Sequence, residues 1–233
     1  MKKILLLGTK DKSDLAMYLG MILAKNGLST LLVDTTSKKR YLQAYTRFEY
    51  DDELHFYDFF DVDIAAAKSW KELESVTHKS NEELQKYDFI LVDIEEEAIV
   101  SHWNDFDYRY YVGNHEKLTL IEDADLITRF LDEHTAEKEF NKIVFSLESD
   151  VDEEYLEQMI DGEIKWSLDD FEIPYDEFDL RNKVNMQYNM QPTFKKLSKD
   201  YKDTLASIVT AISGYHRKDT KQAMKQLERG DFI

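Results

Sequence analysis

Apolar positions along this chain fall into short continuous runs that alternate with stretches of helical spacing. Residues 2–7 (KKILLL) form a buried-strand run that stops at Gly8. From Ser13 to Asn26, Leu15, Leu19, Ile22 and Leu23 recur at helical spacing, and Asn26-Gly27 supplies a helix stop. Residues 29–33 (STLLV) form a second apolar strand that ends at Asp34. Strand, helix and strand within so short a span predict a βαβ unit, and hence a parallel sheet.

The same alternation continues. A third parallel strand is expected at 88–93 (DFILVD), preceded by a polar helix over SNEELQKY, residues 80–87. A fourth lies at 108–112 (YRYYV) before a helix at 118–133, and a fifth at 142–147 (KIVFSL) before a helix over DEEYLEQMI, residues 152–160. Near the end, Leu205, Ile208, Val209 and Ile212 make one apolar helix face, closed by Gly214. A short charged helix at 217–229 carries Ala223, Met224 and Leu227 before the tail Phe232-Ile233. The Tyr/Phe/Asp-rich stretch 41–63 alternates irregularly and is read as one or two strands. These elements predict an α/β fold with a doubly wound, mostly parallel sheet and helices on both faces. With two prolines and no Ser/Gly linker, residues 1–233 read as one domain. Residues 215–233 are its C-terminal charged helix and tail, a candidate docking segment.

Composition narrows the function. The chain has no cysteine, which excludes disulfides, thiolate metal sites and a cysteine nucleophile. The apolar run after Lys2 and Lys3 is too short for a signal peptide, and no segment approaches the roughly 20 apolar residues of a membrane span, so the expected location is the cytoplasm. The net charge of −18 is unevenly spread. Residues 1–45 carry eight basic and three acidic side chains, residues 215–233 carry five and three, and the body between them holds −25. Such a body repels nucleic acid and anionic lipid, so contact with either would have to use the two basic ends. The C-terminal helix has few large apolar residues for a membrane anchor, so peripheral membrane contact is expected only weakly there or through a partner.

The βαβ opening resembles the deviant Walker A ATPases of the MinD/ParA family. Their opening is a strand, then K-G-G-x-G-K-[ST], an amphipathic helix, a glycine stop, and a strand ending in Asp. Counted from Lys12, Gly27 stands 15 and Asp34 22 residues on, the family's usual register. YDFILVD at 87–93 resembles the family's Walker B strand. LTLIEDADLITRFL, IPYD at 173–176 and MQYNMQP at 186–192 resemble later segments more loosely. The resemblance implies a P-loop-type fold with phosphates at the strand C-termini. It implies ATP and Mg²⁺ as cofactors, with Gly8, Lys10, Lys12, Ser13, Asp34 and Asp93 as nucleotide-site residues. Among these, Ser13, Asp34 and Asp93 would stand near the metal.

Departures from the pattern point the other way. The signature lysine that crosses the family's dimer interface is Leu7 here, which argues against ATP-driven dimerisation and leaves a homodimer open. Thr9 and Asp11 replace loop glycines, and Asp11 would place a negative charge beside a triphosphate. The second acidic residue after the strand-ending Asp is Thr36, and Glu95 and Glu96 replace the prolines after Walker B. Lys10 lies in the loop and is one candidate substitute for the missing lysine, though its reach would differ. His102, His115 and His134 lack metal-site spacing and read as solvated surface residues, as does the charge run Glu95, Glu96 and Glu97. Two functions are expected. One is a pseudo-ATPase without catalytic residues, a non-hydrolysing scaffold or localisation adaptor for a larger assembly, comparable to TadZ/CpaE-type proteins and bound to protein partners. The other is a divergent Mg-ATPase whose partner binding follows nucleotide state.

Overall fold

The central strands of the sheet alternate their side chains between two separate cores, which is why they read as unbroken apolar runs. The computed structural model describes residues 1–46, 54–147, 155–161 and 163–231. Strand β1 (Lys2–Leu7) puts Ile4 and Leu6 into one core and Leu5 and Leu7 into the other. Strands β2 (Thr30–Asp34) and β5 (Phe89–Ile94) divide in the same way, with Leu32 and Leu91 on one side and Val33 and Val92 on the other. Together with β3 (Phe56–Phe59), β4 (Val62–Ala66), β6 (Tyr108–Asn114), β7 (Glu139–Ser146) and β8 (Lys165–Pro174), they form one sheet in the order β3-β4-β2-β5-β1-β6-β7-β8. All pairings are parallel except β3 with β4. That hairpin turns through Phe60 and Asp61, both at positive φ (51° and 62°), the twist a two-residue hairpin turn needs.

Helix α1 (Ser13–Lys25) covers one face with Leu15, Leu19, Ile22 and Leu23, joined there by α8 (Lys199–Ser213) and α9 (Arg217–Glu228). Helices α3 (Trp70–Lys79) and α5 (Lys117–Glu133) cover the other, along with the short α4 (Glu97–Val100) and α6 (Tyr155–Met159). Helices on both faces of a mostly parallel sheet are the expected doubly wound architecture. Of the stretch 41–63, residues 41–44 belong to helix α2 (Arg40–Ala44), β3 lies inside it and β4 only begins there, while residues 47–53 lie outside the described residues, as do 152–154 of the expected 152–160 helix and the tail Phe232-Ile233.

Three elements differ from expectation. The helix before β5 is not at 80–87 but is α3, ten residues earlier in the chain, and 84–86 form only a single 3-10 turn. Ser69 decides this by capping the Glu72 N–H (3.2 Å), and Leu73 and Val76 then supply the apolar face that SNEELQKY lacks. Edge strand β8 carries no apolar run, because its residues alternate charge with apolar groups, and α7 (Glu177–Asn189) has an inverted pattern. Helix α7 buries Asp179 and Asn182 beside Met186, its contact with the core, and exposes Leu180, Val184 and Tyr188.

Helix α9 is integral to the fold: Thr220, Ala223, Met224 and Leu227 are buried, and the helix packs on α1 and α8. What it offers outward is its charged side. Truncation of Met224 to Ala is expected to lower the unfolding free energy by about 2–3 kcal/mol in urea titrations, against almost nothing for a loosely attached arm.

Candidate functional site

Strands β1, β2 and β5 are neighbours, so their C-terminal ends bring Gly8, Asp34 and Asp93 to one place; Asp34 pairs directly with Asp93 in register. Gly8 has φ 148°, and a Cβ there would run into the Val112 backbone carbonyl, so the chain can leave β1 at this angle only with glycine. The next residue is tied down from the far side. Asp123 of α5 accepts both the Thr9 N–H (2.7 Å) and the Thr9 hydroxyl (2.8 Å), while its other oxygen takes the Tyr111 hydroxyl (2.8 Å). Burial raises the Asp123 carboxyl above the usual carboxylate range.

The loop then turns its lysine inward. Lys12 is fully buried, with Nζ 2.5 Å from Asp93 Oδ1 and donating to the Gly8 carbonyl (2.6 Å). Asp93 Oδ2 accepts the hydroxyl of Tyr41 (2.6 Å), which sits on α2 (Arg40–Ala44). Asp34 is filled in turn: Oδ1 takes the Thr36 N–H (2.9 Å) and hydroxyl (2.6 Å), and Oδ2 takes the Tyr41 N–H (2.8 Å). Tyr45, one turn further on, directs its hydroxyl to Ser13 Oγ at 3.4 Å. Burial pushes the Asp34 carboxyl up to about 6 despite these donors, and burial with the neighbouring Asp93 pushes the Tyr41 hydroxyl well above its ordinary value.

A second polar group lies on the outer side of the loop. Asp11 Oδ2 meets Lys183 of α7 (3.0 Å), and Lys183 also meets Asp14 (3.0 Å), which accepts the Tyr201 hydroxyl (2.9 Å). Arg40 reaches both Glu95 (2.7 Å) and Asp11 (3.7 Å). Lys10 Nζ stands 3.7 Å over the Phe145 ring and donates to the Asp11 carbonyl (3.1 Å). Burial lowers it to about 8. It lines a cavity of about 50 Å³ with Asp14, Phe145, Asp179, Lys183 and Tyr201.

The structure thus brings Gly8, Lys12, Ser13, Asp34 and Asp93 together, and sets Lys10 apart on the β7 side. Leu7 is buried in the core. Asp11 is not a bare charge, as the sequence had suggested, because Lys183 and Arg40 stand against it. Nor is Glu95 merely a solvated edge: it takes Arg40, and Glu96 accepts the Ser37 N–H (3.2 Å). His102 is exposed, but His134 stacks on Phe130 (4.4 Å between centroids). Among the described residues no three His, Cys, Asp or Glu side chains form a metal-binding group, and no helix is long and apolar enough to cross a membrane. Sequence reasoning missed Tyr41, Tyr45, Lys183 and Asp123. The tyrosines did leave a trace, a pair four apart shortly after Asp34.

Removing Lys12 strands Asp93 as a buried uncompensated charge. Lys12→Ala is therefore expected to cost about 3–5 kcal/mol in denaturant unfolding, and adding Asp93→Asn should recover much of it. Asp34 has a folded-state pKa above its unfolded one, so the fold binds the extra proton and gains stability as pH falls through 6. Between pH 7 and 5 the wild type should gain ~1 kcal/mol relative to Asp34→Asn, read from paired unfolding curves.

No protein-family model and no curated protein sequence matches the chain. Solved structures do. MinD cell division protein from Aquifex aeolicus superposes with a TM-score of 0.62 at 16% identity, covering 93% of this chain and 98% of that one. The MinC:MinD cell division protein complex from Aquifex aeolicus gives 0.59 at 15% identity, covering 93% and 97%. A plasmid partition protein from Borrelia burgdorferi gives 0.51 at 12% identity, covering 90% and 98%. The strand order, the lysine at the head of α1 and the paired strand-end aspartates therefore sit in the fold of MinD and the partition proteins, a P-loop NTPase-like α/β fold.

Proposed function

We propose that this chain is a MinD/ParA-like protein that does not turn over nucleotide and acts as a scaffold or localisation adaptor for a larger cellular assembly. One observation carries the reading: all four carboxylate oxygens of Asp34 and Asp93 are already engaged by Lys12, Tyr41 and Thr36. A Mg-nucleotide needs Lys12 free for phosphate, and a free carboxylate or hydroxyl oxygen for the metal. Residues arranged as these are do not fit that group. Tyr41 would have to leave Asp93, Lys12 would have to exchange a buried counter-ion, and Tyr45 would have to release Ser13.

A partner-binding role is supported indirectly. One MinD with this fold was solved as a MinC:MinD complex. The acidic body disfavours nucleic acid and anionic lipid, so protein partners fit it better than either.

The test is Mg-dependent phosphate release together with binding of a fluorescent ATP analogue at physiological salt. Wild type and Lys12→Ala are expected to show no release above background, and binding weaker than about 0.1 mM for both. Micromolar binding that depends on Lys12, with measurable release, would establish the divergent Mg-ATPase instead.

A further inference from the structure

We propose that the Asp11 carboxylate stands in for an incoming phosphate group at the head of α1, an autoinhibitory contact that must open before any phosphoanion can enter. The inference rests on the reading of this loop as a phosphate loop. Three kinds of donor converge on the one side chain. Oδ1 accepts the N–H of Ser13, the first residue of α1, at 3.0 Å and lies 3.7 Å from Arg40 Nη1; Oδ2 lies 3.0 Å from Lys183 Nζ. A helix-leading amide, a guanidinium and an ammonium are the set that phosphate oxygens collect at such a loop. Lys183 also donates to the Asp11 carbonyl (3.3 Å), so side chain and backbone are held together.

Asp11 differs from the other carboxylates here in being able to leave. Its side chain is 41% exposed, whereas that of Asp93 is fully buried. Its departure strands no buried cation, because Lys183 keeps Asp14 at 3.0 Å and Arg40 keeps Glu95 at 2.7 Å. Asp93 has no such freedom, since its loss from Lys12 leaves an unpaired ammonium in the core. An entering anion therefore meets two cations and an amide already in position. Burial works against the charge on Asp11, but Lys183, the Ser13 amide and Arg40 hold its carboxyl well below the usual range. It stays ionised at any physiological pH, so the contact yields to a competing anion and not to a proton.

The experiment measures binding of inorganic pyrophosphate and of a fluorescent ATP analogue without Mg²⁺, at low fixed salt. Wild type is compared with Asp11→Asn, which keeps the shape and removes the charge, and with Asp11→Gly. Both variants are expected to bind at least ~10-fold more tightly than wild type. Adding Lys183→Ala to Asp11→Asn is expected to abolish that gain. Equal affinities across wild type and variants would overturn the proposal, as would a gain that survives the loss of Lys183. If Asp11→Gly does not fold, Asp11→Asn decides alone. Phosphate release by the wild type is read in parallel with Mg²⁺ and bears only on the non-hydrolysing reading, so the two ideas can fail separately.

Discussion

The buried pair Lys12–Asp93 is the constraint on which the centre of this protein depends. Neither charge is tolerable alone in a dry interior, and the pair offsets its own desolvation only if the remaining polar atoms are also satisfied. Here they are: Lys12 donates to Gly8, Asp93 accepts Tyr41, and Tyr41 in turn donates its amide to Asp34. These contacts lock the exit of β1, the ends of β2 and β5, the head of α1 and the short α2 to each other. A shift of one residue in the β2–β5 register would turn Asp34 or Asp93 toward an apolar core.

How much of this was legible in the chain follows from the same physics. Strands buried on both faces read as unbroken apolar runs, so β1, β2 and β5 and the Asp at the end of each of the latter two could be placed from their letters alone. Helix α1 was equally plain, because its periodic apolar face and glycine stop are local features. Helix α7 was not, since it buries Asp179 and Asn182 and leaves Leu180, Val184 and Tyr188 outside; a pattern rule assumes the buried side is the apolar one. Edge strand β8 failed for a related reason, because one unpaired border removes the pressure for continuous hydrophobicity.

The site shows the limit of motif reading more clearly. Register placed Lys12, Ser13, Asp34 and Asp93 together, because spacing along strand, helix and strand is a local property. What those residues touch is not local. Tyr41 and Tyr45 come from a stretch whose alternation is irregular, Lys183 from the inverted helix, and Asp123 from an unremarkable amphipathic one. Reading Asp11 from the motif alone gave the right charge and the wrong surroundings, since its two cations lie 29 and 172 residues away.

A crevice at the ends of parallel strands collects polar groups that need partners whether or not a ligand arrives. If nucleotide is not what supplies them, the chain must, and it does so with groups of matching chemistry. A tyrosine hydroxyl stands against one strand-end carboxylate, a threonine against the other, and a lysine is paired with aspartate rather than with phosphate. Each replacement turns a ligand contact into a folding contact. Under the non-hydrolysing reading, the region that would have driven a switch therefore becomes the most tightly cross-connected part of the molecule. A scaffold gains from that exchange, because a surface presented to partners is best held by a centre that does not move.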